Sequence, residues 1–161
     1  MSKRVLSASE KDIKQKETHI GLSIKKRVLA IDYGTKRIGL AQSDPLGLFA
    51  QPVGTFDREG LFGTLRKLLD NGDVEKVIVG YPLSENGEQN PMTVVVDRFI
   101  ADLRETFPDL AVETRNEHAS SAEALRILIT SGTSKKKRQE KGRLDSAAAC
   151  LLLTGYLESL R

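Results

Sequence analysis

Apolar residues along the chain form short runs of the kind that strands bury. Glycine, proline, asparagine and aspartate bound these runs, as expected where strands end in turns. The runs predict five strands, at residues 27–33, 37–43, about 51–56, 74–80 and 110–114. Only Gly34-Thr35-Lys36 separate the first two runs, so we expect these strands to form a hairpin.

Between and after the later strands, apolar residues recur at helical spacing. The predicted helices are one with Leu61, Leu65, Leu68 and Leu69, one that buries Val95, Phe99, Ile100, Leu103 and Phe107, one from Ser120 through Ile129, and one over about 144–160. Asn90 can cap the second helix, with Pro91 at its first position, and Asn71-Gly72 can end the first. This order of elements predicts an α/β fold, with a mixed sheet and helices on both faces.

The first 26 residues are rich in Lys, Glu, Ser and Gln, so we expect a basic, flexible N-terminal extension before one domain over 27–161. The net charge is +3, but residues 1–27 and 135–143 each carry +5, which leaves −7 for the rest. These basic segments are either solvated surface or contacts to a phosphate backbone, and the charge alone leaves both open.

No segment is predicted to cross a membrane, because the longest apolar run, at 147–153, is far shorter than the roughly 20 residues that a bilayer requires. The N-terminus lacks the apolar stretch of a secretory signal. Cys150 is the only cysteine, so no internal disulfide can form. We therefore expect a cytoplasmic protein.

Asp32 is the residue that best indicates chemistry. It directly follows the apolar run Val28-Leu29-Ala30-Ile31 and precedes the hairpin turn. An ionised carboxylate at the edge of a core is costly unless it is paired or bound to a metal. Asp32 is therefore either a cap of the following turn or part of a functional site.

Two further acids belong with Asp32 in this prediction. Glu117 comes just after the fifth strand, and Asp145 lies in the last helix on or beside the face of Ala148, Ala149 and Leu152. Two carboxylates 4 Å apart would repel by about 4 kcal/mol at an effective dielectric of 20, and a divalent cation would relieve this. Carboxylates favour Mg²⁺ or Mn²⁺, and no Cys/His spacing suggests zinc. Taken singly, Glu117 could be an exposed loop acid and Asp145 a helix-dipole partner.

Four motifs carry a resemblance to a known family: residues 30–41 (AIDYGTKRIGLA), 79–83 (VGYPL) with Asn86-Gly87, 116–118 (NEH) before Glu123-Ala124, and 143–149 (RLDSAAA). They resemble the RNase H-like superfamily, and within it the YqgF or RuvX-type nucleases. The resemblance implies an RNase H-like mixed five-stranded sheet and a metal-dependent endonuclease whose Mg²⁺ or Mn²⁺ is held by Asp32, Glu117 and Asp145. The family often has Asp-Glu-Arg where this chain has Asn116-Glu117-His118.

Several other residues are candidates for contact with substrate. Lys36 and Arg37 follow the turn and could hold phosphate, or could be ordinary solvated residues. Gly34 is explained by backbone geometry or by close approach of substrate. Tyr81 could stack on a base or simply pack, and His118 could assist proton transfer or be an ordinary loop residue. The basic loop supplies Lys135, Lys136, Lys137 and Arg138.

The resemblance implies action on structured RNA in maturation of the 16S rRNA precursor, hence ribosome biogenesis, with the ribosomal particle as a possible partner. The alternatives are a Holliday junction resolvase acting on branched DNA, which would require a dimer, and a non-catalytic nucleic-acid or ribosome-binding module. We expect a monomer or weak dimer. An actin-like ATPase also begins with Asp-x-Gly-Thr, but it requires two such domains and the chain has length for only one.

Overall fold

The computed structural model describes residues 23–116 and 141–161, with backbone alone over 141–145. The predictions for residues 1–22, for the helix at 120–129 and for the basic loop at 135–138 lie outside these residues. None of the helices in the described part is long and apolar enough to cross a membrane.

The elements, in chain order, are β1 Arg27–Tyr33, β2 Ile38–Ser43, β3 Ala50–Phe56, α1 Arg58–Asp70, β4 Val74–Tyr81, α2 Pro91–Thr106, β5 Ala111–Asn116 and α3 Lys141–Ser159. The sheet has the order β3-β2-β1-β4-β5. The β1–β2 and β2–β3 pairs are antiparallel, whereas β1–β4 and β4–β5 are parallel. The predicted mixed five-stranded sheet is therefore confirmed, with some element ends shifted by up to about three residues.

Alternation along β1 divides the core into two layers, because successive side chains of a strand point to opposite faces. Leu29 and Ile31 pack in one core with residues of α1 and α2. Val28 and Ala30 pack in the other with residues of α3. Helices thus cover both faces of the sheet, as predicted.

Local sequence signals set the ends of α1 and α2. The Asn90 side chain accepts hydrogen bonds from the backbone at the start of α2 and forms a capping box with Thr93. Asn71 is the C-cap of α1, and Gly72 follows with φ +73. Both predicted signals are confirmed.

The prediction that Val95 is buried in α2 is wrong. Val96 is buried instead, and Val95 is only half-buried. The buried stripe of α2 is centred on Val96 and Leu103, which places Val95 at its margin. Phe107 is also only partly buried, and it is the C-cap rather than part of the helix.

Candidate active site

The carboxyl ends of β1, β4 and β5 meet at one edge of the sheet, because these three strands are parallel. Ile31 of β1 is paired with Val79 of β4, which is paired with Thr114 of β5. The residues that follow each of them lie at this carboxyl edge. Such edges are the usual position of binding sites in α/β sheets.

Asp32 lies at this edge and faces α3, since it follows Val28 and Ala30 in the alternation of β1. Its side chain is half-buried. Among the described residues, its carboxylate has no hydrogen bond or ion pair. No bond of Asp32 caps the hairpin turn, so the capping alternative is not supported.

Glycine flanks Asp32 on both neighbouring strands. Gly39 of β2 is its direct partner, and on β4 the buried Gly80 follows Val79, the partner of Ile31. Glycine has no side chain to fill the space beside the carboxylate. Neither neighbouring strand therefore places a side chain directly beside Asp32.

The hairpin that follows Asp32 depends on Gly34. Its N–H donates to the Arg37 carbonyl oxygen at 3.0 Å, and a Cβ at position 34 would lie 2.4 Å from that oxygen. Backbone geometry, the first of the two expected explanations, thus accounts for this glycine. Lys36 at the tip is exposed and Arg37 is half-buried, and neither forms an ion pair within the described part of the chain.

The two tyrosines at this edge lie on the opposite face, where they pack. Tyr33 stacks on Phe99 with ring centroids 4.3 Å apart. The Tyr81 hydroxyl donates to Asp97 Oδ2 at 3.0 Å. Burial, together with this hydrogen bond, raises the pKa of Tyr81. Packing is therefore the role that the structure supports for Tyr81.

Two contacts around the edge were not predicted. The Asn90 side-chain amide donates to the Pro82 carbonyl oxygen at 2.6 Å, so the α2 cap also holds the loop after β4. Arg115 of β5 donates from Nη2 to the Gly155 carbonyl oxygen of α3 at 3.0 Å. No signal in the sequence indicates this second contact, because its acceptor is a backbone carbonyl and a Cβ at position 155 would lie an ordinary 3.8 Å from Arg115.

The remaining candidates fall partly or wholly outside the described residues. Asp145 lies within α3, four residues before Ala149, which is fully buried, but its side chain is not among those described. Glu117, His118, Lys135, Lys136, Lys137 and Arg138 lie outside. Within residues 23–116 and 146–161, no three metal-ligating side chains cluster. Of the three predicted acids, only Asp32 has a described side chain.

Comparison with solved structures defines the class of protein. RuvC from Thermus thermophilus has a TM-score of 0.50 at 14% identity, over 83% of this chain and 95% of that one. A second RuvC structure, in complex with Holliday junction substrate, has a TM-score of 0.51 at 14% identity, over 83% and 94%. At this identity the likeness establishes the fold alone, and that fold is RNase H-like.

The family model described as RuvX, Holliday junction resolvase, matches residues 26–159, and the chain belongs to this family of nucleases. Relatives from Chlorobaculum tepidum and Salinibacter ruber are 60% and 39% identical, over 83% and 84% of this chain and 94% and 95% of their own lengths. Each bears the name "Putative pre-16S rRNA nuclease". The predicted family, fold and enzyme class, a hydrolase of phosphodiester bonds in nucleic acid, are confirmed.

Proposed function

We propose that this protein is a divalent-metal-dependent endonuclease that matures the 16S rRNA precursor in the cytoplasm. The observation that carries the proposal is the Asp32 carboxylate, half-buried at the carboxyl edge without a partner among the described residues. The choice of substrate rests on the names of the relatives, which are pre-16S rRNA nucleases by description. The ribosomal particle is the corresponding partner, and one monomer is sufficient for a single cut.

The donor set fits a hard cation. Asp32 ends an apolar strand, Glu117 directly follows Asn116 at the end of β5, and Asp145 precedes the buried Ala149 by one helical turn. We assign these three carboxylates as the ligands of Mg²⁺ or Mn²⁺, which prefer oxygen donors. A metal held there would activate water and stabilise the leaving oxygen in phosphodiester hydrolysis.

The hairpin tip supports a role in substrate binding. Lys36 and Arg37 follow Asp32 within five residues, and within the described part they have no acidic partner that would neutralise them. We assign both to the phosphate next to the cleaved bond, with Gly34 keeping the hairpin tight. Lys135, Lys136, Lys137 and Arg138 are assigned to the flanking backbone, where binding releases counterions.

A second candidate substrate is the four-way DNA junction. It is favoured by the description of the family and by the RuvC structure solved with a Holliday junction. Symmetric cleavage of a junction needs two active sites, so this function requires a dimer. A catalytically inactive nucleic-acid-binding module is the remaining alternative, because Asn116 and His118 depart from the usual family residues.

Incubation with Mg²⁺ or Mn²⁺ and end-labelled precursor or junction distinguishes these functions. We expect Asp32→Asn to lower cleavage of the precursor by at least about a hundredfold, since loss of an outer-shell partner alone can cost that much. Asp109→Asn, at an exposed acid of the opposite edge, is the matched control and should cleave normally.

Calorimetric titration with Mn²⁺ tests the metal site separately, and Asp32→Asn should weaken binding. If Asp32→Asn cleaves as well as the wild type, the proposed site is excluded. If the wild type cleaves only the junction, the junction replaces the rRNA precursor as the proposed substrate.

Substitution of Lys135, Lys136 and Lys137 by alanine should reduce the salt dependence of binding. An unchanged salt dependence would remove the loop from the substrate interface.

A further inference from the structure

The strand β5 contacts α3 in a different way from the other strands of the sheet. The apolar core beneath α3 takes its sheet residues from β1, β2 and β4, namely Val28, Ala30, Ala41 and Ile78. Among the described residues, no side chain of β5 belongs to this core. β5 is also the last strand of the described sheet, paired on one side with β4. Its contact with α3 is therefore polar rather than apolar.

Arg115 makes a direct contact from β5 to α3. Alternation along the strand turns it toward α3, because Val112 packs in the opposite core. Its Nη2 donates to the Gly155 carbonyl oxygen at 3.0 Å, and its Nη1 donates to Ser159 Oγ at 3.4 Å. Both acceptors lie near the C-terminal end of α3, where the helix dipole favours a cation. The charge of the guanidinium also makes these hydrogen bonds stronger than those of a neutral donor.

The backbone of Arg115 lies level with the candidate site. Its partner on β4 is Gly80, which follows Val79, and Val79 is the partner of Ile31 on β1. Asp32 follows Ile31, so Asp32 and Arg115 belong to the same row across the sheet and face α3 together. The contact with α3 thus starts from the carboxyl edge of β5.

We propose that Arg115 is a positioning residue, which holds the end of β5 against α3 and thereby sets Glu117 relative to Asp145. The inference rests on the proposed function, in which these two acids bind one metal site with Asp32. Glu117 follows Arg115 by two residues, and Asp145 lies in the helix that Arg115 contacts. Without the guanidinium, the end of β5 could move away from α3. A displacement of about 1 Å within a site can cost a hundredfold in efficiency.

Calorimetric titration of the full chain with Mn²⁺ tests this role. Arg115→Ala should lower the Mn²⁺ affinity about tenfold, the lower end of the range for groups that orient metal ligands. Arg104→Ala is the matched control. Arg104 also donates to an oxygen at the edge of the sheet, the Val112 carbonyl at 3.4 Å, but it does so from α2 on the opposite face. This variant should bind Mn²⁺ as tightly as the wild type.

Two further measurements separate positioning from contact with the RNA. For cleavage of the precursor, Arg115→Ala should lower kcat and leave KM unchanged, because it disturbs the metal ligands and no group assigned to the RNA. In the metal-free protein, the backbone amides at 113–116 should exchange faster in Arg115→Ala than in the wild type, because the end of the strand is less firmly held.

Asp32→Asn, titrated alongside, distinguishes the possible failures. If Asp32→Asn weakens Mn²⁺ binding and Arg115→Ala does not, the role of Arg115 is refuted and the proposed function stands. A raised KM with an unchanged kcat in Arg115→Ala would also refute it, since Arg115 would then act on the substrate. If Asp32→Asn binds Mn²⁺ as well as the wild type, the proposed metal site is wrong and the role of Arg115 falls with it.

Discussion

Substitution of Gly34 by alanine tests whether the hairpin after Asp32 is fixed by close backbone contact. The added Cβ would lie 2.4 Å from the Arg37 carbonyl oxygen, whereas Cβ atoms essentially never approach within 3.0 Å. The carbonyl must therefore move by at least about 0.6 Å. The same oxygen accepts the hydrogen bond from the Gly34 N–H at 3.0 Å, so the movement also strains the bond that closes the hairpin.

Overpacking of this kind costs about 1–3 kcal/mol, and a strained or lost hydrogen bond accounts for about 0.5–1.5 kcal/mol of it. We expect Gly34→Ala to lower the free energy of unfolding by about 2 kcal/mol. For a chain of this length, that corresponds to a fall in melting temperature of about 4–8 °C. Because the hairpin also carries Lys36 and Arg37, nuclease activity should fall as well.

Urea denaturation measures the stability change, with the slope m compared between variants to confirm that they unfold in the same way. Gly63→Ala is the matched control, because a Cβ there would meet nothing within 4 Å and the residue lies inside α1. It should stabilise the protein by about 0.5–1 kcal/mol, since alanine favours helix. A Gly34→Ala protein as stable as the wild type would refute the argument from backbone contact.

Three further substitutions test other parts of the structure. Burial raises the pKa of Cys150 from 9.0 to about 11, so its stabilising contribution is complete below pH 9 and is lost as the pH rises through 11. In urea melts, the free energy of unfolding of the wild type should fall by about 2–3 kcal/mol as the pH rises from 9 through 11, and that of Cys150→Ala should not. Parallel pH profiles of the two proteins would contradict this. The buried Ser43 Oγ accepts a hydrogen bond from the Val28 N–H at 2.9 Å. Ser43→Ala should therefore lower the free energy of unfolding by about 1–3 kcal/mol in urea melts, and an unchanged value would refute this role. Asn90→Ala should lower the free energy of unfolding by about 1–2 kcal/mol and speed amide hydrogen exchange in the loop at 82–89. If exchange in the loop is unchanged, Asn90 only caps the helix and does not hold the loop.

Much of the fold could be predicted because its signals are local. A run of apolar residues next to a turn determines β1 whatever its partners are, and Asn90-Pro91 begins α2 through bonds within one helical turn. The error at Val95 shows the limit of this reasoning. Three valines at 94–96 are equally apolar, and only the position of the sheet decides which of them the helix buries.

The candidate site divides in the same way. Asp32 is predictable because a charge at the end of an apolar run is an anomaly that a few residues of sequence reveal. The contact between Arg115 and Gly155 joins residues 40 positions apart, so no local pattern indicates it. The hydrogen bond from the Asn90 side chain to Pro82 is not predictable either, because a residue that caps a helix needs no further partner to account for it.

The glycines around Asp32 connect the fold to the proposed chemistry. Gly34 is needed for backbone approach within the hairpin, but nothing in the hydrogen bonding of the strands requires glycine at Gly39 or Gly80, because any residue can pair in a sheet. Glycine inside a strand weakens it, so these two positions cost stability. As a result, no side chain of β2 or β4 stands directly beside a carboxylate that faces α3 without a partner among the described residues. The absence of side chains on both sides of this carboxylate suits a site where a cation and a phosphate must approach the strand closely.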